Sequence, residues 1–91
     1  MERAAIQQKD VIVRNPHGLH ARPAARLVVA AAKFKSSIVL IANGKRANAR
    51  SLVAVMILAA GMGARVSIEA HGPDEAEAVQ AVAQVVERGF G

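Results

Sequence analysis

The sequence predicts an α+β fold, one antiparallel sheet covered on one face by helices, in the order β-α-β-β-α-β-α. Three observations predict it. Residues 24–31 and 79–86 repeat apolar side chains at helical spacing, residues 65–70 alternate apolar and polar, and Asn43-Gly44 joins two short stretches of strand character. Helical stripes and half-buried strands each need an apolar partner surface, and stacking them in two layers meets both needs while leaving the other sheet face solvated.

Each element has a local reason. Residues 9–15 contain Val11-Ile12-Val13, a β-branched run suited to a pleated surface, and read as the first strand. Asn15-Pro16-His17-Gly18 reads as a turn or loop. A helix begins at or just after His20, with Ala24, Leu27, Val28 and Ala31 as its buried stripe and Arg22, Arg26 and Lys33 mostly opposite. Pro23 falls in its first turn, where a missing N–H costs no hydrogen bond. Residues 36–42, with Ile38-Val39-Leu40-Ile41, form a strand. Asn43-Gly44 is the strongest hairpin signal in the chain, because a type I′ turn needs positive φ at both central positions, and residues 45–49 are the return strand.

Ser51 is a good N-cap for the next helix, its hydroxyl able to accept a first-turn N–H. Residues 52–58 are apolar almost all round, so a short helix here cannot bury every side. Gly61 and Gly63 are expected to end it. In residues 65–70, Val66, Ile68 and Ala70 alternate with Arg65, Ser67 and Glu69, the pattern of a half-buried strand. The last helix is expected to be capped by Asp74, with Glu77 at capping-box spacing and Glu75 and Glu77 at its positive end. Val79, Val82, Ala83 and Val86 form its core stripe, and Arg88 and Gly89 suit its C-terminal end.

Composition bounds the function. The chain has 91 residues, enough for one domain over residues 1–91 and too few for an enzyme with a separate substrate domain. The first few residues, 1–5, are expected to fray. With 53% hydrophobic residues but only two Phe and no Tyr or Trp, the core must be built from small aliphatics, and a nucleic-acid binder that stacks bases on aromatic rings is disfavoured. Cysteine is absent, which excludes disulfides and thiolate metal sites and fits an intracellular setting. The opening residues lack the apolar run of a signal peptide. The longest uncharged run, residues 51–64, is too short to span a bilayer and is interrupted by Gly61 and Gly63. A cytoplasmic protein is expected. The net charge of +5 serves either solubility or a positive face for phosphate or acidic partners. The basic residues are spread without a Lys/Arg block, so DNA binding is the weaker reading.

Chemistry concentrates around one of three histidines, His17, His20 and His71. His20 follows Gly18 closely, stands at a helix start and precedes Arg22. A neutral imidazole nitrogen is a good nucleophile near neutral pH. If it carried a phosphoryl group, helix N-terminal N–H groups and a guanidinium would complement the charge, and a glycine would permit close backbone approach. The plainer alternative is that Gly18 makes a turn, His20 caps the helix and Arg22 is solvated. A metal site on His17 and His20 is disfavoured because no cysteine and few carboxylates lie near. No nucleophile elbow supports a Ser-His-Asp triad.

Gly18-Leu19-His20-Ala21-Arg22-Pro23-Ala24 resembles the active-site signature of HPr, the phosphocarrier of the bacterial sugar phosphotransferase system. The resemblance extends over most of the chain, through Asn43-Gly44-Lys45, Ser51-Leu52 and its apolar sequel, and Val66-Ser67-Ile68. It implies an open-faced β-sandwich, a four-stranded antiparallel sheet with three helices on one face. It also implies that His20 accepts phosphate on Nδ1 from enzyme I and passes it to a histidine of an enzyme IIA domain in phosphoenolpyruvate-dependent sugar uptake. Arg22 would contact the phosphoryl group, with Gly18 and Ala21 in the phosphate loop and no metal or organic cofactor. Leu52, Val53 and Met56 would correspond to the family's docking patch, flanked by Arg26, unless Leu52 and Met56 are core residues. Ser51 would be an N-cap and, where a serine kinase/phosphorylase exists, a regulatory phosphoserine. A monomer without nucleic-acid or membrane partners is expected. A nitrogen-type signalling carrier is the close alternative, and a small basic nucleic-acid-binding domain the remote one. The chain departs from the family at His17, where a small polar residue is frequent, and at Val29, Ala32 and Ala54, where many members carry lysine; Arg26 and Arg50 could compensate.

Overall fold

A computed structural model describes residues 7–14, 21–58, 61 and 63–88. Among these, the element order is β1 (Gln7–Ile12), α1 (Ala21–Ala32), β2 (Ser37–Ala42), β3 (Lys45–Asn48), α2 (Leu52–Ile57), β4 (Arg65–His71) and α3 (Glu75–Arg88). The strands pair antiparallel throughout in the order β1-β4-β2-β3. This is the α+β open sheet with three helices that the sequence implies. No helix among the described residues is long and apolar enough to cross a membrane.

The register explains the core. Leu40 pairs with both Ile68 and Ala47, so one row of apolar side chains crosses three strands on the face beneath the helices. Ala24, Leu27 and Ala31 of α1 and Ala78, Val79, Val82, Ala83 and Val86 of α3 are buried in the same core cluster. The largest fully buried side chains are Leu27, Leu40, Leu58 and Ile68, each contributing roughly 1.5–3 kcal/mol by leaving water. Side chains of the opposite parity face away from the helices. There Arg46 reaches Glu69 at 3.7 Å across β2, an exposed pair worth about 0–1 kcal/mol. On the same face Ser67 Oγ donates to Asp10 Oδ1 at 2.7 Å, and this bond above all holds the Asp10 carboxyl below its ordinary pKa.

Boundaries differ from expectation where backbone pairing outruns side-chain pattern. The first strand begins at Gln7, because the polar Gln7 and Gln8 pair with Ala70 and Glu69 through backbone alone. Its regular pairing stops at Ile12, although Val13 stays buried and exchanges bonds with Ala64 and Gly63. The helix α2 ends at Ile57 with Leu58 as C-cap, before the glycines expected to end it. The hairpin is as predicted, with φ of 52° at Asn43 and 74° at Gly44.

The start of α3 differs from expectation in how its cap is satisfied. Glu75, not Glu77, reaches back: its Oε1 accepts from the Gly72 N–H at 2.9 Å. Asp74 keeps the expected N-cap position, directly before Glu75 and with its carbonyl accepting the Ala78 N–H at 3.0 Å, while Gly72 and Pro73 form the turn that leads into it. The oxygen that meets the N-cap N–H comes from Ser36, elsewhere in the chain. Ser36 Oγ accepts the Asp74 N–H at 3.2 Å and donates to Asp74 Oδ1 at 2.6 Å. The Asp74 carboxylate also accepts the Ser36 and Lys35 backbone N–H groups, both at 2.9 Å. The Ser36 hydroxyl is the main reason its carboxyl is held below the ordinary range, followed by the Lys35 N–H. Gly72 adopts φ 152°, and a Cβ there would fall 2.6 Å from Ser36 Cα, so glycine is required for this close approach.

Candidate functional site

The N-terminal turn of α1 carries the candidate chemistry. Ala21 opens the helix and His20 directly precedes it in sequence. His20, Gly18 and His17 lie outside the described residues. Pro23 is fully buried in the first turn, its fixed φ suiting a helix start and its absent N–H leaving no donor unpaired there. Arg22 is exposed in that turn and Arg26, four residues on, is exposed along the same side. No acidic residue occupies the first turn, so no carboxylate of its own opposes the positive end of the helix.

The second part is α2, which packs against α1 and β3. Ser51 caps it as predicted: with φ −104° and ψ 108°, its Oγ accepts the Ala54 N–H at 3.2 Å. Val55 and Leu58 point into the core. The other side chains cannot follow them, because the helix is apolar on every side and only one side meets the protein. Leu52 is 41% exposed, Val53 66%, Met56 42% and Ile57 59%. The alternative that Leu52 and Met56 are core residues therefore falls, and Ile57 joins a patch that sequence alone did not extend to it. A helix with this much apolar surface turned outward, and no charge of its own, is suited to transient contact with another protein.

Around this patch the basic residues are unevenly placed. Val29 is 60% exposed, and with Ala25, Arg26, Ala30, Lys33 and Val85 it lines a shallow groove of about 380 Å³ between α1 and α3. Ala32 is exposed and Ala54 half-buried, so the positions where lysine is frequent are surface positions that are apolar here. Arg50 is exposed, but its guanidinium donates to the Phe34 carbonyl at the end of α1 and its backbone N–H to Asn48 Oδ1 at 2.9 Å. It braces the α1–β2 junction rather than only enlarging a positive rim.

Two further residues matter. His71 ends β4 on the sheet face away from the helices, beside Ser37, Val39, Arg46 and Glu69. It is thus remote from α1 and α2, consistent with an ordinary surface role. Asn43, read from sequence only as a turn residue, donates from its side-chain Nδ2 to the Leu58 carbonyl at 2.9 Å. Nothing local in the sequence signals that bond, which spans fifteen positions.

Residues 7–88 match the family model described as "PTS HPr component phosphorylation site". The phosphocarrier protein HPr of Cupriavidus necator is 42% identical over 84 residues, which make up 92% of this chain and 94% of the relative. Among solved structures, a phosphocarrier protein HPr from Bacillus anthracis superposes with a TM-score of 0.87 at 40% identity, covering 92% of this chain and all of the other. The Bacillus subtilis catabolite repression protein Crh, described as a domain-swapped dimer, superposes with a TM-score of 0.73 at 43% identity, covering 91% and 94%.

Proposed function

Because this chain belongs to the HPr family of phosphotransferase-system phosphocarriers, we propose that it relays a phosphoryl group between proteins through His20. The Nδ1 lone pair attacks the phosphorus of a phosphohistidine on enzyme I. The donor P–N bond breaks, and its electron pair stays on the donor imidazole as the new P–N bond forms. The second transfer runs in the same sense to a histidine of an enzyme IIA domain, in phosphoenolpyruvate-dependent sugar uptake in the cytoplasm. The chain is a carrier between catalysts and has no turnover of its own.

The observation that carries this reading is the seven-residue run from Gly18 to Ala24, with Arg22 exposed on the first turn of α1. Charge in phosphoryl transfer is spread over the transferred oxygens, so positioning and electrostatics suffice without added acid–base groups. One guanidinium and a few backbone donors make a moderate clamp, strong enough to orient the group and weak enough to release it. Docking falls to Leu52, Val53 and Met56, flanked by Arg26. A phosphate on Ser51 would place negative charge beside this patch and disfavour partners with acidic rims. The relay works as a monomer, with the swapped arrangement described for Crh as the alternative for this chain.

Incubation with enzyme I and labelled phosphoenolpyruvate tests the proposal. Acid-labile, base-stable label on the native chain and none on His20→Ala is the expected outcome. Label retained by His20→Ala would move the chemistry to His17 or His71 and overturn the assignment.

A further inference from the structure

We propose that Asn43 is a positioning residue for partner docking: its side-chain amide tethers the C-terminal end of α2 to the β2–β3 hairpin and so fixes the exposed apolar patch. The inference rests on the phosphocarrier reading for the meaning of docking, and on the geometry alone for the tether.

A six-residue helix is far below the length at which isolated helices hold together in water. It must be held from outside, and its last carbonyls have no partner within the helix. At the start, Ser51 Oγ supplies a cap. At the end, Leu58 is anchored twice, by its fully buried side chain and by its carbonyl, which accepts from Asn43 Nδ2 at 2.9 Å in a partly buried setting. Met56 and Ile57, two of the exposed apolar side chains, directly precede Leu58, so the placement of this carbonyl sets theirs.

The hairpin is a suitable anchor, because Ala42 and Lys45 on either side of the turn are paired in the sheet. The turn itself does not demand asparagine. At φ 52°, glycine or aspartate would also be accepted. Of these three only asparagine brings an N–H donor to the Leu58 carbonyl. The residue thus combines a turn-forming backbone with a helix-holding side chain, and substitution separates the two roles.

Asn43→Gly and Asn43→Asp in the full chain keep the turn and remove the donor. Amide hydrogen exchange and steady-state phosphorylation by enzyme I, at varied carrier concentration, are the readouts. The α2 amides of Val55 and Leu58 should exchange about tenfold faster while those of Leu40 and Ala47 in the hairpin strands keep their protection. KM for the carrier should rise roughly fivefold with kcat unchanged, the signature of lost docking rather than lost chemistry. Unchanged exchange in α2, or equal loss of protection in α2 and the hairpin, would overturn the tether. Faster α2 exchange with an unchanged KM would overturn its role in docking. A native chain that accepts no phosphoryl group would refute the phosphocarrier reading instead, and the exchange data would still decide the tether.

Discussion

The two helix starts at Ser51 and Asp74 solve the same problem in opposite ways. Helix α2 is capped by its own preceding residue, whose hydroxyl accepts the Ala54 N–H and stays partly accessible. Helix α3 is capped by Ser36, a buried residue thirty-eight positions from the Asp74 that it binds. A local cap costs the fold little and leaves the helix at the surface, free to present Leu52, Val53, Met56 and Ile57. A remote cap ties the α1–β2 connection to the β4–α3 connection and joins distant parts of the chain. One start is built for display, the other for cohesion.

That contrast breaks most readily at the α3 start. Gly72→Ala should lose about 2–4 kcal/mol in denaturant melts, because the new Cβ meets Ser36 backbone rather than a movable side-chain end. The folded fraction should still dock normally. Ser36→Ala should cost about 1–3 kcal/mol by leaving the Asp74 N–H and carboxylate short of a partner.

Acid should reveal the same cluster. The folded pKa of Asp74 lies below its ordinary value of 3.8, first because of the Ser36 hydroxyl. Its contribution is therefore complete above that ordinary value and is lost as pH falls through the lower folded one. Asp10, lowered chiefly by Ser67, adds in the same sense. Thermal melts should decline on acidification below pH ~4, and less steeply in Ser36→Ala. Equal slopes in the two proteins would detach the effect from this cluster.

Changes at the display end should be smaller in stability and larger in traffic. Ser51→Ala should cost about 1 kcal/mol through the lost cap, seen as faster exchange of the Ala54 amide. Val53→Glu should shift stability by less than about 0.5 kcal/mol, since the side chain is mostly in water. It should nevertheless raise KM with enzyme I about tenfold, equivalent to ~1.4 kcal/mol of docking energy. A Val53→Glu carrier with normal KM would remove that residue from the docking surface.

What the sequence made legible was local. The Asn43-Gly44 turn, the Ser51 cap, the alternation ending at Ala70 and the stripes of α1 and α3 are each decided by neighbours within a few positions, where propensity and periodicity act. What it hid was long-range. No pattern near Asp74 reports a serine from another connection, and none near Asn43 reports the Leu58 carbonyl. The start of β1 escaped because Gln7 and Gln8 pair through backbone groups that every residue carries. In the site, periodicity could not decide whether Leu52 and Met56 face inward, since α2 is apolar on all sides. Only its seat against α1 and β3 settles which side is covered. The proposal for His20 and Arg22 comes from the run around them, because the groups that would complement a phosphoryl charge fall within a few residues of one another.

Two-dimensional proton–phosphorus correlation on the native chain, after reaction with enzyme I and phosphoenolpyruvate, reads the central assignment directly. A single phosphoramidate on Nδ1 of His20 is predicted. Phosphorus on another residue, on Nε2 of the ring, or nowhere on the chain would contradict it.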